Sequence, residues 1–137
     1  MKKQLVLMMA AALLGLTLFA CGGGGDSPEV VVEKAMSAMV DMDSDALGDY
    51  LCAKSLVEAK QALDMAKAMM PEDQKFEMKL SDMKYEVTEE SDDKATVHVT
   101  GNVTVTGLGD EDQSEPVDEQ MQVIKEDGKW KVCEGFL

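Results

Sequence analysis

Apolar positions change their spacing several times along the chain. From Leu5 to Ala20 they are nearly continuous, broken only by Gly15 and Thr17, and Gly22 to Gly25 follows directly after Cys21. Beyond the glycines the spacing becomes helical. Ser27-Pro28-Glu29 is a helix start, with serine to cap, proline suited to the first turn and a carboxylate for the positive end of the dipole. Val32, Ala35, Met36, Met39 and Val40 then predict a first helix over about 28–42. Asp43-Ser44-Asp45 breaks it and caps a short second helix through Ala46, Leu47 and Tyr50 to about Cys52. A third is expected from about Lys54 to Met70, with Leu56, Ala59, Leu63, Ala66 and Met70 as its apolar stripe and Pro71 as its stop.

After Pro71 the period falls to two. Phe76, Met78 and Leu80 share one parity, and Met83, Tyr85 and Val87 the other. A one-residue slip turns every later side chain to the wrong face, so a β-bulge is expected near Ser81-Asp82. The next strand alternates most cleanly, with Ala95, Val97, Val99, Gly101, Val103 and Val105 inward and Thr96, His98, Thr100, Asn102, Thr104 and Thr106 outward. Residues 107–115 read as a polar loop, and 117–124 as a third strand weakened by Glu119 on the inward parity. Glu126-Asp127-Gly128-Lys129 predicts a tight hairpin into a fourth strand carrying Trp130 and Val132. The expected class is α+β, three N-terminal helices packed on a curved four-stranded antiparallel sheet, in one domain over 27–137.

Lys2 and Lys3 before an apolar run shorter than the ~20 residues of a spanning helix give the layout of an export signal. Leu18-Phe19-Ala20-Cys21 resembles the lipobox of bacterial lipoproteins. That resemblance implies cleavage of a 1–20 signal peptide, acylation of Cys21 (diacylglyceryl and palmitate-type chains), and a tether over 21–26. Gly22, where aspartate favours inner-membrane retention, leans towards the outer membrane of a diderm envelope. The implied localisation is the extracytoplasmic face of the cell envelope.

Charge narrows the partners. The chain has a formal net charge of −14 and no arginine, and loss of Lys2 and Lys3 with the leader takes it to −16. Nucleic acid is an improbable partner for such a surface, and an anionic bilayer repels it, so attachment falls to the lipid. Of three cysteines, lipidation of Cys21 leaves Cys52 and Cys133, an even pair that export favours as a disulfide, with two separate buried thiols as the other reading.

A second resemblance rests on Ser27-Pro28-Glu29, Asp43-Ser44-Asp45-Ala46-Leu47, Tyr50-Leu51-Cys52 and Glu126-Asp127-Gly128-Lys129-Trp130-Lys131-Val132-Cys133. Together these resemble small bacterial lipoprotein domains of unknown function in the nuclear transport factor 2-like superfamily, with its cystatin-like α+β cone. The resemblance implies helices in the concavity of a bent sheet and a pocket at the open end, without implying an activity.

Candidate chemistry is sparse. Enzymes of that superfamily, isomerases and dehydratases, set a carboxylate base against hydrogen-bond donors in an apolar pocket. Tyr50 and Tyr85, with Asp49, are the candidate pocket groups, and both rings also suit a core with hydroxyls at the rim. His98 belongs on the threonine-rich outer face, away from any zinc cage. Met36, Met39 and Met42 have a spacing compatible with copper(I), and equally with core filling. The acidic runs Asp41, Asp43, Asp45 and Asp110, Asp112, Ser114 lack the glycine and the terminal glutamate of a calcium loop. The expectation is therefore a lipid-anchored, noncatalytic domain that binds a protein or a small ligand and needs no cofactor. The alternatives are an isomerase- or dehydratase-like enzyme and a methionine-based copper handler.

Overall fold

The computed structural model describes residues 25–73, 75–107, 109 and 111–136. The expected signal peptide, Cys21 and most of the glycine tract lie outside these described residues, as does Asp110 of the second acidic run.

The first helix, α1, is Pro28–Val40. Ser27 stands at its N-cap with extended backbone, but its hydroxyl makes no capping bond, contrary to expectation; only its carbonyl is engaged, accepting from the Val31 N–H at 3.1 Å. The helix also stops two residues short of Met42. Met42 takes the left-handed conformation at φ 53° and donates to the Met39 carbonyl at 3.0 Å, while Asp43 N–H reaches Ala38 O at 2.9 Å. This is a Schellman closure built on methionine instead of glycine. Asp43 then caps α2 (Ser44–Tyr50), its carboxylate accepting from the N–H groups of Asp45 and Ala46 at 3.1 and 3.0 Å. The third helix, α3, runs Ala53–Met69 from an N-cap at Cys52. It buries Ser55, Ala59 and Leu63, but Ala66 is exposed and Met70 only half-buried, so the expected stripe reaches the core over its first three turns only.

Four strands follow in sequence order within one antiparallel sheet: β1 (Glu77–Glu90), β2 (Lys94–Thr106), β3 (Gln113–Glu126) and β4 (Lys129–Glu134). The expected bulge is present. Register slips between Ser81 and Lys84, with Asp82 at φ 53°. Across from it Gly101 sits at φ 152°, where an added Cβ would fall 2.9 Å from the Met83 Cα and against its sulfur. The bulge and the glycine therefore require one another.

β3 starts at Gln113, four residues before Val117, because the polar stretch expected as loop still pairs with β2, Gln113 opposite Val105 and Ser114 opposite Thr104. β4 pairs with β3 only from Gln122 onward, which leaves the other edge of 113–121 without a neighbouring strand among the described residues and accommodates Pro116 there. Asp127 at φ 51° and Gly128 at φ 78° make the expected tight turn into β4.

One core joins the layers. Val32 and Ala35 from α1, Leu47 and Leu51 around α2, and Ala59 and Leu63 from α3 pack over Val97, Val99, Met121, Val123, Trp130 and Val132. Leu51 also bridges to Val132, and Cys52 N–H donates to the Val132 carbonyl at 3.0 Å, so the chain between α2 and α3 is stitched to β4.

Candidate binding site

The stitch continues in covalent form. Cys52 and Cys133 are joined by a disulfide with Cα atoms 5.0 Å apart and a sequence separation of 81. Next to it, the Ser55 hydroxyl donates to the Cys133 carbonyl at 2.8 Å, which satisfies the one buried polar side chain among the described residues. A Glu126 oxygen lies 3.4 Å from the Cys52 sulfur, and these three side chains lie within 4.8 Å of one another. With the two sulfurs bonded to each other, neither is a thiolate donor and a single carboxylate remains, too little for a metal centre.

Tyr50, at the end of α2, lines a cleft of about 300 Å³ with Asp26, Val31, Asp49, Lys129 and Trp130. Its walls come from the start of α1, the end of α2 and the start of β4. The Trp130 ring is buried, and the Lys125 ammonium lies 4.9 Å from its centroid. At the cleft mouth Lys34 Nζ bonds Asp26 Oδ2 at 2.7 Å, a hydrogen bond that raises the lysine pKa above its usual value.

Tyr85 is not in this cleft. It sits on β1 opposite Val99, half-buried against the core, and burial followed by the nearby Glu33 charge pushes its pKa up. A tyrosine so placed holds its proton and is no base at neutral pH. The pair singled out from sequence is thus not brought together. Asp49 is exposed beside Tyr50, and the cleft sets no carboxylate in an apolar wall of the kind that proton abstraction requires.

The other candidates resolve simply. His98 stands on the outer face as expected, though half-buried, and its Nε2 lies 2.6 Å from Asp118 Oδ1 on β3, a cross-strand pair missed because the register was unknown. Met36, Met39 and Met42 are half-buried against the core, and Met42 has left the helix, so the three do not form one helical row. Asp43 serves as the cap of α2, accepting both backbone N–H bonds on Oδ1.

A second feature was hidden from sequence. Inner-face residues of the sheet beyond the helices, Met78, Leu80, Val103 and Val105, are half-buried and stand outside the packed core. Near them Met42, Met70, Lys75, Phe76, Glu77 and Thr106 line an open cleft of about 550 Å³.

Residues 30–135 match the family model described as anti-sigma-I factor RsgI9, C-terminal domain. The chain belongs to this family. The RsgI9 C-terminal match takes in all four strands, α2 and α3, and all but the first two residues of α1. Among solved structures, the fold of this RsgI9-type domain is similar to the intermembrane space region of the chloroplast protein ARC6, at a TM-score of 0.62 and 17% identity over 78% of this chain and 90% of that one. It is similar also to the putative transfer protein TraH of the Gram-positive conjugative plasmid pIP501, at 0.52 and 9% identity over 77% and 91%. Rv3472(D26N) of Mycobacterium tuberculosis, a protein of unknown function, aligns at 0.51 and 16% identity over 75% of this chain and 63% of that one. No curated protein matches the sequence.

Proposed function

We propose that this chain is a lipid-anchored, extracytoplasmic interaction domain without catalytic activity, whose partner is another protein. The observation that carries this reading is the family match, which spans 30–135 and names the C-terminal domain of an anti-sigma factor, a class of regulatory protein that acts by contact. The site chemistry supports it: Tyr85 does not line the cleft that holds Tyr50, and among the described residues no carboxylate is buried with either. Helices first, then a four-stranded antiparallel meander with a bulge that bends it, also supports assignment to the nuclear transport factor 2-like cone.

The anchor is Cys21 in Leu18-Phe19-Ala20-Cys21, with the membrane reached through two or more acyl chains and an outer-membrane destination in a diderm cell. Intact-cell chemical cross-linking followed by mass spectrometry tests the interaction: a protein adduct that recurs and is lost when the domain is unfolded is the expected result, and none at saturating cross-linker refutes it. The anchor is tested separately. Palmitate label should enter the wild-type chain and be absent from Cys21→Ala, which should leave the membrane fraction.

A further inference from the structure

We infer that the distal half of the inner sheet face is a docking surface for a basic amphipathic segment of a partner protein. The inference rests on the interaction reading above and adds the place and the chemistry.

Register puts the residues on one face. Met78 pairs with Val105, Leu80 with Val103 and Gly101 with Val117, continuing the alternation that points Val97, Val99 and Met121 at the helices. Val97 and Val99 are fully buried, whereas Val103, Val105, Met78 and Leu80 are not, although all face the same way. The cause is the length of the helical layer. α1 closes at Val40 and α3 packs on α2 and β4. The chain ends of both helices, Met42 and Met70, stand across an open cleft from the end of the β1–β2 hairpin, so the distal inner positions are only partly covered.

Charge selects the occupant. Glu115 is paired with Val103 and Glu119 with Val99, so two carboxylates stand at inner positions of β3, while Glu77 at the start of β1 is paired with Lys79 on the outer face. The inner positions of β1 and β2 contribute no cation; Lys75 in the neighbouring cleft is the one lysine among the described residues lining that margin. An apolar floor with an anionic wall, in a chain of charge −14, repels acidic peptides and anionic lipid and favours lysine and arginine.

Shape agrees with a helix. Three strands span about 10 Å, the diameter of a helix with its side chains. Met42, Met70 and Met78 give an adaptable lining of the kind that accepts amphipathic helices in a groove. The bound segment lays an i, i+3, i+4, i+7 apolar stripe on Leu80, Val103 and Val105 and turns its cations to Glu115 and Glu119.

The test is fluorescence anisotropy of the full chain with two labelled probes, a 14-residue Leu/Lys peptide with helical spacing and its Ser/Lys counterpart of equal charge. The Leu/Lys probe should bind about tenfold or more tighter, the apolar stripe supplying the difference. Glu115→Gln with Glu119→Gln should weaken it about three- to tenfold, as expected for two exposed charge contacts. Glu89→Gln with Glu90→Gln, which removes the same charge at the other end of the sheet, should stay within about twofold of wild type. These four positions are exposed, so folding is not in question.

Equal binding of both probes, or equal loss in both double variants, overturns the proposal in favour of bulk charge. Self-association in sedimentation that Val105→Asp abolishes would make a second copy the occupant and overturn it as well. A photo-cross-linking residue in place of Val105 or Lys60 in intact cells separates this inference from the reading beneath it. Adducts at Val105 and not Lys60 support the docking surface; adducts at Lys60 alone overturn it and leave the interaction reading standing; none at either site removes both.

Discussion

The two halves of the β1–β2 hairpin have the same sequence pattern and opposite fates. Ala95, Val97 and Val99 alternate with Thr96, His98 and Thr100 and are buried; Val103 and Val105 alternate with Asn102, Thr104 and Thr106 and remain half-open. Alternation specifies a face, and only the neighbouring layer specifies whether that face is covered. In this protein the fully buried inner positions of β2 end at Val99, and the bulge at Ser81–Lys84 faces Gly101, the next inner position. The proximal half is therefore a structural core and the distal half a surface with the composition of one.

Substitutions in the two halves should separate sharply. Leu47→Ala, in the fully buried proximal core, should cost about 2–5 kcal/mol in urea unfolding, the loss of transfer energy plus a cavity. Leu80→Ala in the distal half should cost less, about 1–2 kcal/mol, since the side chain is only partly buried and lies outside the packed core. If the two losses are equal, the distinction between core and open face is wrong.

Replacing both Cys52 and Cys133 by serine should cost about 2–4 kcal/mol by releasing the long loop they close. The loss should appear in thermal melts without reductant and vanish when wild type and variant are both reduced. Gly101→Ala tests the border between the halves. Its Cβ meets the Met83 backbone at a φ that disfavours side chains, so a loss of about 1–3 kcal/mol is expected, with hydrogen exchange rising first around Ser81–Lys84.

The smallest effect concerns pH. Tyr85 has its pKa raised by burial and by Glu33, so the folded state favours the protonated ring. Its contribution is complete below the unfolded-state value near 10 and is lost as pH rises through the higher folded value. Tyr85→Phe should flatten the stability profile above about pH 10 relative to wild type. An unchanged slope would place the ring in solvent.

Much of the fold was legible because its signals are local. The Asp43 cap, Pro71 after α3, the parity slip at Ser81-Asp82 and the Asp127-Gly128 turn each act over a few residues. What failed was not local. The end of α1 was missed because Met42 occupies a left-handed position usually given to glycine, and the start of β3 because Gln113 and Ser114 look like loop until paired with Val105 and Thr104. The separation of Tyr50 from Tyr85 and the open distal face depend on which layer lies over which strand. Spacing along the chain does not contain that. Candidate chemistry was legible mainly by exclusion; Glu119 already showed on the inward parity, but placing Glu115 beside Val103 needed the β2–β3 register.

The Cys52–Cys133 bond encloses the chain from α3 to β4 in one covalent ring. Any single proteolytic cut between these cysteines, including one in the polar segment after Gly107, opens the ring without dividing the molecule. In an oxidising compartment, where the bond persists, a domain nicked there stays in one piece. It would run as a single band until reductant is added and as two afterwards, so a lost loop need not mean a lost protein.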